Sequence, residues 1–367
     1  MLFEAFKQGI NLGGYLSQYE LIADAGSKDS LKEHFETFIT REDIGQIAGW
    51  GFDHVRIPID GFLFFDAETK GLREEPLAYL DRCIGWCAEY GLNAVIDLHN
   101  IAGHAYGQMD VPTPLMVEED LRSDFCRFWG NMAEHFKGYD KAKLLFELFN
   151  EMADATGYRW NKLYKRAIRE IRKADSQRWV LVGSNYVNSV GYLDRLDLVD
   201  DLHVFYNFHY YEPNVFTHQM AHFSEEFCTY KKPLSYPGDM RGYIEFLKTH
   251  EKFRKEHPML MADLAKDVTA GDGSFINDRR LMEKYLADAK RFVEYSGCEL
   301  YCGEFGVIDC APEEEAVKWL RDFITICNEI GIGHAMWNYK CLDFEILDRE
   351  GKAVRPGVLA LLKDLNS

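Results

Sequence analysis

The stretch WGFDHVR at residues 50–56 returns forty residues later, in pattern, as YGLNAVI at residues 90–96. In each copy a glycine stands where a helix would end, and an apolar run with β-branched residues begins directly after it. The pattern predicts a repeating unit in which a helix is followed at once by a strand.

The intervals between such runs carry apolar residues at helical spacing. One stripe covers residues 76–87 and is closed by Gly91, a second covers residues 121–136, and a third covers residues 317–330 and is closed by Gly331. These stripes predict the core-facing sides of helices rather than binding surfaces.

Eight short apolar runs lack strict alternation, as strands buried on both faces do. They lie at residues 8–12, 54–57, 94–98, 144–149, 180–183, 204–208, 300–303 and 334–337. Eight alternating units predict a closed (β/α)8 (TIM) barrel, formed as one domain over residues 1–367. A doubly wound open sheet is the alternative, which we disfavour because no glycine-rich phosphate turn follows the first run.

A barrel of this kind needs about 250 residues, so roughly 100 residues of the chain are in excess. The excess concentrates in residues 212–277, between the sixth strand and the sixth helix, where aromatic residues are frequent. We expect an inserted subdomain near the mouth of the barrel. The alternative is a surface insertion without a role in the site.

The net charge excludes several classes of partner. The chain has 42 Lys and Arg residues against 60 Asp and Glu residues, a formal charge of −18, which repels phosphate backbones and anionic lipids. No segment has the roughly 18 apolar residues of a membrane helix, and the N-terminus lacks a leader pattern. We therefore expect no nucleic acid and no membrane as partner.

Cysteine usage indicates reduced thiols. The nine cysteines are an odd number and form no C-x-x-C pair, which argues against a zinc or redox site. One adventitious disulfide, formed in an oxidising compartment, is the alternative.

Polar residues cluster at the carboxyl ends of the predicted strands, where barrel enzymes build their sites. The cluster comprises Arg56, His99, Asn150, Glu151, His209, Tyr211, Glu304 and Trp337. Glu151 and Glu304 follow strands four and seven, which face one another across the barrel. Two such carboxyl groups suffice for glycoside hydrolysis, although a single strand-end Glu is more often an ion-pair partner.

Seven short strings, taken in order, resemble glycoside hydrolase family 5, the cellulase family. They are GINLG at 9–13, VRIP at 55–58, DLH at 97–99, FNE at 149–151, FHYY at 208–211, GEFG at 303–306 and WNY at 337–339. Each string is weak alone, but together they cover nearly the whole chain. Among members the sequence is similar to the clostridial endoglucanase C type, in which a subdomain also follows strand six.

The resemblance implies a retaining double displacement with Glu151 as general acid/base and Glu304 as nucleophile. Arg56 would keep Glu304 ionised, and Tyr211 could donate a hydrogen bond to it. Asn150 would bind the sugar 2-hydroxyl.

The remaining three residues of the cluster have supporting roles on the same resemblance. His99 and His209 would bind hydroxyls or tune the pKa of Glu151, and Trp337 would form the floor under the sugar. Each has a structural alternative: a buried histidine, a core aromatic or, for Arg56, an ion-pair member. His34, His54 and His203 have no motif context and are interpreted as structural.

The resulting prediction is a monomeric endo-β-glucanase without cofactor or metal, acting on β-1,4-glucan or mixed-linkage β-1,3-1,4-glucan polysaccharides or oligosaccharides. Alternatives are β-mannan, glucomannan or xyloglucan as substrate, exo action, a metal-dependent barrel hydrolase, or a non-catalytic glycan binder. The missing leader and odd cysteines suggest the cytoplasm, whereas a polymeric substrate suggests the outside. Aromatic residues near loop ends are candidates for sugar subsites: Tyr15, Tyr19, Phe62, Phe64, Phe65, Tyr106, Tyr186 and Tyr339.

Overall fold

Eight parallel strands close into a barrel in the computed structural model, which describes residues 2–104, 112–154, 156–256 and 275–366. The order around the barrel is β1-β8-β7-β6-β5-β4-β3-β2, so β1 pairs with both β2 and β8. The strands are β1 Gln8–Asn11, β2 His54–Asp60, β3 Asn93–Asn100, β4 Leu144–Glu147, β5 Val180–Gly183, β6 Val204–Tyr210, β7 Leu300–Phe305 and β8 Gly333–Met336. The predicted (β/α)8 barrel is confirmed.

A helical segment follows each strand of the barrel. These segments are Arg41–Gly49, Glu74–Glu89, Glu119–Phe136, Tyr158–Ala174, Val190–Arg195, Arg279–Ser296, Glu313–Ile330 and Pro356–Leu365. The segment Val190–Arg195, after β5, is a short 3-10 helix instead of an α-helix. Further short helices are Leu2–Ala5, Tyr19–Leu21, Lys28–Thr37, Gly61–Phe64 and Pro114–Val117.

Glycine residues with positive φ follow the helices at the predicted helix ends. Gly331 caps Glu313–Ile330 with a left-handed φ of 86°, and its N–H donates to Cys327 O. Gly51 and Gly91 also have positive φ, at 87° and 77°. A side chain at these positions would be strained, so the two repeat units begin their strands where the sequence predicted.

The barrel interior is apolar at its amino-terminal end. Inward-facing side chains there come from most of the strands and from the first helix, and they form one buried cluster: Leu2, Phe6, Val95, Leu145, Leu181, Phe205, Tyr301 and Ala335. Because side chains alternate along a strand, the residues two positions further on also face inward. That second layer is polar, and it carries the candidate site.

In its described residues, the segment after β6 forms four helices: Asn214–Thr217, Glu225–Tyr230, Arg241–Thr249 and Glu251–Glu256. Two short strands, Gly238–Asp239 and Ile276–Asn277, pair antiparallel within it. Residues 257–274 of the expected 212–277 subdomain lie outside the described residues, and the subdomain stays a prediction. Within the described part of the chain, no helix is both long and apolar enough to cross a membrane.

Several predicted strand ends differ from the structure. Arg56 lies inside β2 rather than at its end, because β2 continues to Asp60. Glu304 lies inside β7, and β4 stops at Glu147, so Glu151 stands on the loop four residues beyond the strand. All nine cysteines are free, as expected.

Candidate active site

The polar layer of the barrel is assembled by strand periodicity. Two residues beyond the inward apolar Val95, Leu145 and Phe205 stand Asp97, Glu147 and Asn207, all completely buried. Sequence analysis missed these three residues as members of the site. The signal that could have found them is a polar side chain at an inward position of an otherwise apolar strand.

Arg56 is the centre of this layer. Its buried guanidinium contacts five side chains: Glu147 at 2.7 and 2.8 Å, Glu304 at 2.8 Å, Asn11 at 2.9 Å, Asp97 at 3.0 Å and Asn150 at 3.0 Å. Burial raises the pKa of Asp97 to about 7 and also raises the pKa of Glu147. One cation therefore faces three carboxyl groups, and every donor that Arg56 offers has an acceptor.

Glu304 is held at two points. Arg56 Nη1 donates to its Oε1 at 2.8 Å, and the Tyr211 hydroxyl donates to its Oε2 at 3.0 Å. The register between β6 and β7 shifts just before His209 pairs with Glu304. A Cβ on Gly303 would lie 3.0 Å from His209 Nε2, so glycine is what allows the histidine to approach β7.

Glu151 has a different environment. Its side chain is 24% exposed, and His209 Nδ1 lies 3.1 Å from its Oε1. Burial raises the pKa of Glu151 to about 7, against the opposing fields of His99 and Arg56. The same burial lowers the pKa of both His99 and His209 to about 4, so both rings are neutral near pH 7.

The two predicted carboxyl groups come together. An oxygen of Glu151, a ring nitrogen of His209 and an oxygen of Glu304 all lie within 4.8 Å of one another. The sequence therefore predicted correctly which residues meet, although Glu151 and Glu304 are 153 positions apart in the chain.

Trp337 lies directly after β8 beside this pair. The His99 ring stacks on it, with ring centroids 5.7 Å apart and an interplanar angle of 9°. A Cβ on Gly13 would come within 2.6 Å of the indole, so glycine leaves room for the ring. His99 itself is held by Asp97, whose Oδ2 lies 2.8 Å from Nδ1.

A cleft of about 590 Å³ opens above these residues. All of the predicted site residues except the buried Arg56 line it, and the segment after β6 adds Glu212, Asn214, His218, His222 and the exposed Phe223. His222 Nδ1 lies 3.7 Å from Asp343 Oδ1, which belongs to the loop after β8. This segment therefore forms part of the wall of the cleft.

The aromatic subsite candidates are not part of this wall where they are described. Tyr15 and Tyr339 are completely buried, and the Tyr339 hydroxyl donates to Asp43 at 2.8 Å. Phe344, Phe223 and Trp337 supply the aromatic rings instead. Tyr106 lies outside the described residues. His54, interpreted as structural, contacts Asp53 and the Tyr301 hydroxyl below the site.

Glu151 and Glu304 approach to within 4.8 Å above the polar layer of a (β/α)8 barrel, an arrangement of two carboxyl groups that fits glycoside hydrolysis. A family model, "Cellulase (glycosyl hydrolase family 5)", matches residues 23–341. The chain belongs to this family, as the resemblance implied.

Relatives with curated names match nearly the whole chain. Endoglucanase C of Acetivibrio thermocellus is 38% identical over 359 residues, which cover 98% of each protein. Cellodextrinase A of Ruminococcus flavefaciens is 30% identical over 326 residues, 89% of this chain and 83% of that protein. A structure of Thermotoga maritima Cel5A in complex with cellobiose shares the fold, with a TM-score of 0.74 at 21% identity, covering 99% of this chain and all of the other.

Proposed function

We propose that the protein is a retaining endo-β-1,4-glucanase that acts on cellulose-type and mixed-linkage β-1,3-1,4-glucans. Glu304 is the nucleophile and Glu151 the general acid/base of a double displacement. The observation that carries this proposal is the approach of their oxygens to within 4.8 Å. Retaining glycosidases place their carboxyl groups about 5 to 5.5 Å apart, whereas inverting enzymes need about 6.5 to 9.5 Å to admit a water.

In the first step a Glu304 oxygen bonds to the anomeric carbon while the bond from that carbon to the glycosidic oxygen breaks. Glu151 gives its proton to the departing oxygen, so a glycosyl ester and a shortened chain result. Arg56 and Tyr211 each donate a hydrogen bond to one oxygen of Glu304, and these two bonds orient the attacking group.

In the second step the Glu151 carboxylate takes a proton from water, and the water oxygen bonds to the anomeric carbon as the ester to Glu304 breaks. Glu151 must therefore begin the cycle protonated and serve as a base halfway through. A pKa of about 7 suits both tasks, because neither form is costly near neutral pH.

Two neighbours of the pair support binding of a sugar ring. Arg56 donates to Asn150 Oδ1 at 3.0 Å, which leaves the amide Nδ2 to face the cleft, where it can donate to the 2-hydroxyl. The Trp337 ring supplies an apolar surface for the pyranose face.

The β-1,4-glucan substrate is supported by the relatives, which are named endoglucanase and cellodextrinase. The charge of −18 and the acidic residues Glu212 and Asp343 in the cleft wall favour a neutral polysaccharide over an acidic one.

The test is release of reducing sugar, with product lengths, from barley β-glucan, carboxymethyl cellulose, glucomannan, xyloglucan and laminarin. We expect fast cleavage of barley β-glucan and slower cleavage of carboxymethyl cellulose to mixed oligomers. Glu304→Ala, purified in parallel, is the control for contaminating activity. Cleavage of glucomannan alone would overturn the proposed substrate, and release of single sugars from chain ends would overturn the proposed endo action. Neither result would contradict the proposed roles of the two carboxyl groups.

A further inference from the structure

A left-handed turn follows β5 beside the candidate site. Tyr186, Val187 and Asn188 have φ values of 56°, 54° and 54°, a left-handed conformation that is unfavourable for residues other than glycine. Val187 is β-branched, for which this region is particularly unfavourable. The turn therefore persists because its surroundings hold it.

The turn is bound to the loop that carries Glu151. Val187 N donates to Met152 O at 3.1 Å, and Asp154 N donates to Asn185 Oδ1 at 2.9 Å. Glu151 itself has a left-handed φ of 48°. One backbone–backbone bond and one bond to a side-chain oxygen thus join the two segments directly beside the carboxyl group.

Asn188 makes a third connection through a side chain. It is completely buried, and its Nδ2 lies 3.2 Å from Nε2 of His209, whose Nδ1 lies 3.1 Å from Glu151 Oε1. A Cβ on Gly183 would lie 2.5 Å from Asn188 Oδ1, so glycine in β5 makes room for the amide.

We propose that Asn188 is a positioning residue that fixes the tautomer of His209. The amide nitrogen is only a donor, so Nε2 of the imidazole must accept. The single ring proton then resides on Nδ1, where it donates to Glu151. This inference rests on the proposed function only in its consequence for catalysis, since the tautomer itself can be measured separately.

The charged groups around His209 show why the tautomer needs fixing. Glu147 Oε1 lies 4.0 Å from Nε2, and Glu304 Oε2 lies 3.7 Å from Nδ1. Arg56 and His99 also act on the ring through their fields. Without the amide, the Glu147 carboxylate would draw the proton to Nε2, and Nδ1 could then pair only with a protonated Glu151.

The catalytic consequence is a shift in the pKa of Glu151. A donor at Oε1 stabilises the carboxylate, which the second step of the reaction requires, whereas an acceptor there stabilises the acid. Loss of Asn188 therefore raises the pKa of Glu151. Because the lost hydrogen bond is to a charged group, the alkaline limb of kcat/KM moves to higher pH by about one to two units.

The variant that tests this is Asn188→Gly, since glycine accepts the φ of 54° and removes only the amide. Gly183→Ala is a second route, because its methyl group displaces the same amide. Ser184→Ala is the matched control. It removes the Ser184 Oγ bond to Ser189 O, 2.8 Å long, from the same turn without touching His209.

The first readout is the ¹⁵N spectrum of histidine-labelled protein, with the His209 signals identified by their loss in His209→Gln. We expect the ring proton on Nδ1 in the wild type and in Ser184→Ala, and on Nε2 in Asn188→Gly and Gly183→Ala. A wild-type proton on Nε2, or the same tautomer in all four proteins, would overturn the proposal.

The second readout is the pH profile of kcat/KM for an aryl β-cellobioside, measured alongside Glu151→Gln. If Glu151→Gln keeps the wild-type alkaline limb, the proposed role of Glu151 has failed, whatever the tautomer. If Glu151→Gln removes the limb and Asn188→Gly leaves it in place, the role of Asn188 is refuted and the role of Glu151 stands.

Discussion

Glu304 and Glu151 are the same residue type within 4.8 Å of each other, yet the protein surrounds them in opposite ways. Glu304 lies inside β7 and receives hydrogen bonds from Arg56 and Tyr211. Glu151 lies on a loop with a left-handed φ, and burial raises its pKa to about 7. Two donors hold Glu304 in place, while desolvation raises the pKa of Glu151.

The comparison shows that two different parts of the barrel supply the two carboxyl groups: a strand supplies Glu304 and a loop supplies Glu151. The strand side is rigid and rich in donors, so it suits the orientation of Glu304 as the proposed attacking group. The loop side is partly open to solvent, so it suits a group that exchanges a proton twice per cycle. Each of the following predictions removes one element of this contrast.

The largest effect is expected from Glu304→Ala, which removes the attacking oxygen. Turnover of an aryl β-cellobioside should fall by about 10⁴-fold or more. Azide should partly restore it by entering the vacated space, and the glycosyl azide product, analysed by NMR, should have inverted configuration.

Glu151→Ala with azide is the counterpart and should give the retained configuration. If the two products are exchanged, retained from Glu304→Ala and inverted from Glu151→Ala, then the roles assigned to the two carboxyl groups are reversed.

A somewhat smaller effect is expected from Glu151→Gln. Loss of proton transfer should lower kcat/KM on barley β-glucan by about 10²- to 10⁴-fold, and by much less on a dinitrophenyl glycoside, whose leaving group needs no proton. In the wild type, activity should fall as the pH rises through about 7, because Glu151 loses its proton there. If the pH profile of Glu151→Gln still falls at alkaline pH as that of the wild type does, the assignment of Glu151 as general acid/base is contradicted.

Arg56→Lys should disturb both groups at once. Lysine keeps the charge but cannot form the planar fork that contacts Glu147 on two atoms. We therefore expect kcat to fall by about 10²-fold. The unfolding free energy, measured by urea denaturation, should fall by about 3 kcal/mol. Arg41→Lys, at the exposed pair with Glu89, is the matched control and should leave the unfolding free energy almost unchanged. If the two substitutions lower the unfolding free energy equally, burial does not determine how much Arg56 contributes to stability.

The smallest effect is expected from Tyr211→Phe, which removes one of the two donors on Glu304. Activity should fall about tenfold, with KM little changed, since the lost bond stabilises the attacking group and not the substrate. Tyr164→Phe removes a hydroxyl bonded to Asp197 O outside the site and should leave kcat unaltered. An unchanged kcat in Tyr211→Phe would mean that Arg56 alone holds Glu304.

Sequence patterns predicted the barrel because its information is local: glycine ends the helices, and the strands are short apolar runs. They also predicted that Glu151 and Glu304 meet, because the carboxyl ends of parallel strands converge. The contact between Arg56 and Glu304 is confirmed at 2.8 Å.

The partners of these residues were not predictable in the same way. Whether Glu147 faces inward depends on the register of β4 against β3 and β5, and a one-residue slip would turn it outward. The reach of Asn188 to His209 depends on a left-handed turn that no residue type in that stretch requires. These contacts join distant strands, so only the assembled barrel determines them.

Barrel closure has a consequence for the order in which the protein is made. β1 pairs with β8, at Gln8 with His334. The first strand synthesised can therefore complete its pairing only after the last one has been made. Until β8 leaves the ribosome, β1 and β7 each present an open strand edge, and chains truncated before Gly333 keep both edges exposed. Such fragments should aggregate or recruit chaperones, and β7, the strand that carries Glu304, should gain its final neighbour only at the end of translation.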